Sequence, residues 1–287
     1  MRISKKLIGL CWLVLCAIGY PAWSQDSAQL SARQKEIQQR FADQVNNQYP
    51  ALVDRYNKLP DTFDGRQLGS DNALELSPDY LADPSVSELI RASAQEFIAR
   101  RYAEKLAVQP RQGERLVFSG GGTGAGKTTS IKMLEPALAN VEIIYDTTLS
   151  DLNFSVELIE RSLKSGRAVT VIYIYREPLE AFVNGVLPRA AKTGRTVGCP
   201  FHVFTHVTTR KVMDQLATRY ANDPRFELIA IDNSRGADQQ HMVALNTIPY
   251  PQGARLGAEI NSEIDKAKAA GKLNAQTLGS TTPCTQM

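Results

Sequence analysis

The sequence predicts an α/β fold of the P-loop NTPase type: a mostly parallel sheet with helices on both faces, preceded by a helical N-terminal extension. Three observations carry this reading. A short apolar run, Leu116-Val117-Phe118, leads into the glycine-rich segment Gly121-Gly122-Thr123-Gly124-Ala125-Gly126-Lys127-Thr128. Behind it, Lys127 to Leu134 reads as a helix, so strand, loop and helix follow in the order a phosphate-binding loop requires. Beyond that helix, strand-like runs alternate with helical patterns, which implies right-handed crossovers between parallel strands.

Taken in order, the apolar residues Leu30, Ile37, Phe41, Val45, Leu52, Val53 and Tyr56 recur at helical intervals and predict one or two amphipathic helices. Pro60 to Asp79 is rich in Asp, Gly and Pro and predicts a loop. Ser85 and Glu88 stand at capping-box spacing, ahead of a helix carrying Leu89, Ile90, Phe97, Ile98, Tyr102 and Leu106. Pro110 to Gly113 then breaks the chain before the phosphate loop.

Past the loop, Val141 to Tyr145 predicts a strand, Asn153 to Leu163 a helix, Ala168 to Tyr175 a buried strand and Leu179 to Asn184 the start of another helix. Leu187 to Pro200 is a basic, glycine-containing stretch, expected to form a cationic lid. Thr208 to Tyr220 predicts a helix, Phe226 to Ile231 a strand ending at Asp232, Glu259 to Ala270 a terminal helix and Gln276 to Met287 a loose tail. The expected organisation is a leader over residues 1–24, a helical region over 25–110, a P-loop core over 111–236 and a C-terminal helix with its tail over 237–287.

The leader has a basic start at Arg2, Lys5 and Lys6, an apolar stretch from Leu7 to Tyr20, and small residues at Ala22 and Ser24. That is the layout of a secretory signal peptide, and the apolar stretch is short for a membrane span, so a retained inner-membrane anchor is the alternative. Export to the periplasm or the exterior is therefore expected. The whole chain has 33 basic and 30 acidic residues. The leader's three basic residues account for the excess, and a balanced mature chain gives no support to nucleic-acid binding. Of four cysteines, Cys11 and Cys16 lie in the leader, and Cys199 and Cys284 remain either to pair or to stay separate thiols.

The chemistry follows from the loop. The backbone N–H groups of Gly121, Gly122, Thr123, Gly124, Ala125 and Gly126 can turn inward around the phosphates of ATP. Lys127 supplies a point charge for the β- and γ-phosphates, Thr128 a hydroxyl ligand for Mg²⁺, and Thr129 continues the motif into the helix. Asp146 closes the next strand, where a parallel sheet brings it beside the γ-phosphate. It is the candidate general base; holding a Mg²⁺-bound water, or merely starting a turn, are the other readings. Arg176, Arg189 and Arg195, with Lys192, would close a cationic lid over the triphosphate and stabilise transferring charge. Asp232 and Asn233 are assigned a structural role or contacts on the adenine side. Cys199, His202 and His206 have a spacing that could supply three zinc ligands, without a fourth.

Together, the phosphate loop, Asp146 and the runs around Tyr175-Arg176, Leu187-Pro188-Arg189, Thr193-Gly194-Arg195, Tyr220 to Arg225 and Ile231 to Gly236 resemble the zeta toxin family of P-loop kinases. Upstream, Asp64-Gly65-Arg66, Asp71, Leu74 and Leu76 to Tyr80 are similar to the segment preceding the loop in larger zeta-toxin-like proteins. The resemblance covers roughly residues 60 to 236. It implies ATP and Mg²⁺, Lys127 as phosphate binder, Asp146 as base, Arg189 and Arg195 as lid arginines, and an acceptor such as UDP-N-acetylglucosamine phosphorylated on the sugar 3′-hydroxyl. An antitoxin or immunity protein is the partner it suggests. A leader on such a chain leaves three arrangements open: an exported effector acting in another cell, a tethered kinase facing the cytoplasm, or a nucleotide-binding or assembly protein without turnover.

Overall fold

A computed structural model describes residues 30–193, 197–272 and Cys284. The leader, Arg195 and the tail apart from Cys284 lie outside the described residues. Among the described residues, no helix is long and apolar enough to cross a membrane.

Two helices open this part of the chain, α1 (Ala32–Asn47) and α2 (Tyr49–Tyr56). Ser31 and Gln34 cap α1 reciprocally, and Ile37, Phe41 and Val45 form its buried stripe. The segment expected to be a loop is instead structured. After a 3₁₀ turn at Pro60–Thr62, Gln67–Gly69 forms β1, followed by α3 (Ser70–Leu74) and α4 (Pro78–Ala82). Three residues are too few to show an alternating pattern, so their strand depends on a partner distant in sequence. Next, α5 (Ser87–Ala107) begins without the expected capping box, because Asp83 instead accepts the Ser85 N–H and caps a 3₁₀ turn at Pro84–Val86.

The strand β2 (Arg115–Gly120) leads through the phosphate loop to α6 (Lys127–Leu134). Then come β3 (Ile144–Asp146), α7 (Leu152–Lys164), capped by Asp151, and β4 (Ala168–Tyr175). The short α8 (Pro178–Ala181) runs through a π-helical turn at Phe182–Val186 into α9 (Leu187–Thr193). Most of the described part of the expected lid is thus helical. α10 (Cys199–Arg219) starts nine residues before the expected helix; β5 (Phe226–Asp232), a short β6 (His241–Val243) and α11 (Gly253–Ala269) complete the chain.

The six strands lie in the order β1-β3-β2-β4-β5-β6, parallel except for β6. The sheet therefore runs across the break at Pro110: an edge strand from the N-terminal region pairs with β3, aligning Gly69 with Asp146. Side chains alternate across β4. Val169, Val171, Tyr173 and Tyr175 join a core with α1, α2, α5, α7 and α10, while Ile172 and Ile174 face Ile131 of α6 and Ile231 of β5. A third apolar cluster joins Phe182 and Val186 to Val203 of α10 and Leu256, Ile260 and Ile264 of α11. There Cys199 and Cys284 form a disulfide. Both backbone polar groups of Cys284 bond to the Asn261 amide, at 2.8 and 3.0 Å.

Candidate nucleotide site

The phosphate loop lies at the carboxyl end of β2, at the centre of the sheet, where ligands of open parallel sheets collect. Gly124 and Gly126 have left-handed φ of 72° and 92°, conformations costly for residues with a Cβ. Gly124 has a second reason to be glycine: a Cβ there would run into the Ala181 carbonyl oxygen. Lys127 opens α6, and its Nζ donates to the carbonyls of Gly121 at 3.0 Å and Gly122 at 3.4 Å, so its charge stays against the loop. Thr123, Gly124, Gly126, Lys127, Thr128 and Asp146 lie at one part of a long cleft of about 2210 Å³ that also runs along α1 and α5. Backbone donors at a helix start, with a lysine and a hydroxyl on the first turn, fit a phosphate chain and its Mg²⁺.

Asp146 ends β3 directly across from Ser119 of β2, whose hydroxyl donates to its Oδ1 at 2.8 Å. The loop after it is fastened to the phosphate loop by Gly121 N–H donating to Thr148 O at 3.2 Å. Buried Leu149 there holds a φ of 50°, a strained conformation for a bulky residue, with its side chain packed on Gly120. The carboxylate is thus oriented from two sides.

Arg176 follows β4 and lines the cleft with Asn184, Gly185 and Arg189. Its Nε is buried without a hydrogen-bond partner among the described residues. Arg189 lies on α9, one turn beyond a π-helical segment of the kind often found at functional sites. The structure brings Arg176 and Arg189 to the same cleft as Lys127 and Asp146; Arg195 lies outside the described residues. Thr129 lies on the first turn of α6, beside Thr128, and lines the cleft too.

The sequence reading missed what holds the loop. His202, Thr205, His206 and Thr209 form a buried polar face of α10, at i, i+3, i+4 and i+7. Thr205 Oγ1 accepts the Thr123 N–H at 3.2 Å, His206 Nε2 donates to Thr123 O at 2.9 Å, and His202 Nδ1 meets Thr123 Oγ1 at 2.7 Å. Thr209 Oγ1 donates to Thr148 O at 3.0 Å. On the other side, Asn233 Nδ2 donates to Ala125 O at 2.8 Å, giving Asn233 a loop-holding role, while Asp232 accepts the Ser234 N–H. The spacing of the four α10 residues was the available signal. The zinc reading is corrected: Cys199 is consumed in a disulfide, and both histidine Nε2 atoms donate to carbonyls. Among the described residues no cluster of metal ligands occurs.

The histidine charges follow from geometry. His202 Nε2 lies 2.9 Å from the Pro178 carbonyl, which can only accept, so Nε2 carries the proton and Nδ1 accepts from Thr123. Burial pushes the His202 ring down to about 4, outweighing the Pro178 bond, which acts upward. Burial holds His206 well below its ordinary value as well, helped by neighbouring His202 and Lys127. A cation with a depressed folded-state pKa contributes stability that is fully present above its unfolded value of 6.5 and lost as pH falls toward 4. His202 alone should cost about 2 kcal/mol of folding stability between pH 7 and 5. Urea midpoints at the two pH values check this, and the slope should shrink in His202→Gln; an unchanged slope would remove the assignment.

Comparison with known proteins places residues 135–239 in a match to the family model described as Zeta toxin. The match begins after the phosphate loop and takes in Asp146, Arg176, Arg189, α10 and β5. A search of curated proteins returns no match. Among solved structures, the chain is similar to the crystal structure of the AvrRxo1-ORF1:-ORF2 complex, native, at 18% identity over 71% of this chain and 89% of that one, with a TM-score of 0.44. It is also similar to AvrRxo1-ORF1:AvrRxo1-ORF2 with sulphate ions, at 15% identity over 75% and 86% respectively, with a TM-score of 0.40.

Proposed function

With the zeta toxin match over residues 135–239 as its premise, we propose that the chain is an ATP-dependent small-molecule kinase that transfers the γ-phosphate to a hydroxyl, with a UDP-N-acetylglucosamine-like sugar as the acceptor class. The observation that carries this is the convergence of the phosphate loop and Asp146 on one cleft, with Ser119 bonding the carboxylate. The family match supports the P-loop kinase type; the acceptor rests on the resemblance to the family.

In this reading the loop N–H groups and Lys127 bind the phosphates, and Thr128 holds Mg²⁺, which screens charge on the transferring group. Asp146 orients the acceptor hydroxyl and takes its proton, while Arg176 and Arg189 face the phosphates from the lid side. Phosphoryl transfer asks little more of a protein than positioning and charge neutralisation. Because β4 ends at Tyr175 with Arg176 after it and no carboxylate at the strand end, Mg²⁺ would be held by Thr128 and the phosphates, with Asp146 lining the same cleft.

The leader pattern and the Cys199–Cys284 disulfide support export, which makes an effector acting where another cell supplies ATP the preferred arrangement. The test is Mg²⁺-dependent transfer from γ-labelled ATP to UDP-sugars by the purified chain, with Lys127→Ala as the comparison. Turnover lost in Lys127→Ala is expected. ATP binding without turnover on any hydroxyl acceptor would favour the nucleotide-binding protein instead.

A further inference from the structure

The tip of the phosphate loop touches the root of the lid in two places. Gly124 and Gly185 meet backbone to backbone: a Cβ on Gly185 would stand 2.7 Å from Gly124 O, in the middle of the π-helical turn. The second connection is His202. One nitrogen of its ring accepts from Thr123 at the loop tip, and the other donates to the carbonyl of Pro178, the first residue of α8, which leads through the π turn to α9 and Arg189. The ring is fully buried, with the Phe182 ring edge-on at 5.2 Å. Its helix is anchored about one turn earlier by the Cys199 disulfide and about two turns later by Arg210, which donates to Leu245 O and Ile248 O. α10 is therefore a stiff backing, and the imidazole is the part of it that reaches both the phosphate loop and the lid.

We propose that His202 is a positioning residue that couples the phosphate loop to the lid through its two ring nitrogens, so that seating the triphosphate at Thr123 and setting the helix of Arg189 are linked events. The inference rests on reading the cleft as a nucleotide site. A neutral imidazole suits the task because it donates from one ring nitrogen and accepts at the other along one rigid plane, whereas a carboxamide placed here reaches only one of the two partners. Conservative replacements divide the two bonds. In His202→Gln the amide nitrogen falls where Nε2 stood and keeps the Pro178 bond; in His202→Asn the carbonyl oxygen falls where Nδ1 stood and keeps the Thr123 bond.

The test measures ATP affinity with a fluorescent ATP analogue, and KM for ATP and kcat, on the full chain. His202→Gln and Thr123→Val should each raise KM for ATP about tenfold, the worth of one buried hydrogen bond, and the double variant should be no worse than either single. Thr123→Ser, which keeps the hydroxyl, should stay near wild type. His202→Asn should lower kcat severalfold with KM for ATP little changed, since only the link to the lid is cut. Thermal melts within a few degrees of wild type separate these effects from lost folding. Additive effects of Thr123→Val and His202→Gln, or a His202→Asn variant that behaves like His202→Gln, would overturn the coupling while leaving the nucleotide site intact. No ATP binding by the wild-type chain would overturn both readings.

Discussion

Replacing Asp146 by asparagine should lower phosphoryl transfer by about 10²–10⁴-fold and leave ATP affinity within roughly threefold, the range set by removal of a positioned general base. The change is close to isosteric, and the Ser119 hydroxyl, 2.8 Å from Oδ1, can donate equally well to the amide oxygen. The sheet register is also indifferent to it, since Asp146 pairs with Ser119 and Gly69 through the backbone. What is lost is the negative charge and the proton-accepting capacity at the cleft. Single-turnover transfer, nucleotide titration and a melting curve on the same preparation distinguish the possibilities. Unchanged transfer would falsify the base assignment. A variant whose transfer recovers at high Mg²⁺ would move Asp146 to the other reading, a carboxylate that holds the water on the metal.

Where a segment depends on its own residues for structure, the sequence was a sufficient guide. The eight residues of β4, all β-branched or aromatic after Ala168, and the turn-and-helix at Lys127 were read within their observed limits, because burial on both faces and glycine chemistry are local signals. Elements whose reason for existing lies elsewhere in the chain were not legible. β1 is three residues long and is a strand because β3 offers it an edge. The first half of α10 escaped notice because its buried face mixes Val203 with His202, Thr205, His206 and Thr209, whereas Val212, Met213 and Leu216 make the second half plainly apolar. At the site, Lys127, Thr128 and Asp146 could be found from motif and strand end, whereas Ser119 acts through the distant Asp146 carboxylate and Thr205 and His206 through the distant backbone of Thr123. A buried polar stripe at helical spacing reports a partner with exposed backbone groups, here a glycine-rich loop with too few side chains to hold itself.

Cys284→Ser should lower folding stability by about 4 kcal/mol, or roughly 8–16 °C in Tm for a chain of this size, by the loop-closure argument for widely separated cysteines. The two residues are 85 apart in sequence and join the start of α10 to the face of α11. Serine keeps the backbone of residue 284, and with it both bonds to Asn261, so the substitution isolates the covalent link from the packing around it. A dithiol reductant should lower the melting temperature of the wild type by a similar amount and leave the variant unmoved; coincident melts for oxidised and reduced wild type would remove the prediction. The same bond bears on where the protein works. Thiols of a reducing cytosol do not pair and persist as structural disulfides in ordinary cells, so an oxidised Cys199–Cys284 in protein recovered from its source belongs with passage through an oxidising compartment. Fractionation with N-terminal sequencing and thiol labelling reads both at once. A chain beginning at Gln25, outside the inner membrane and without free thiols, supports an exported kinase whose α10 is stapled before it meets nucleotide. An intact Met1 in the cytoplasm with both thiols reduced would mean that α10 holds the phosphate loop without its staple, and would return the kinase to a compartment that already contains ATP.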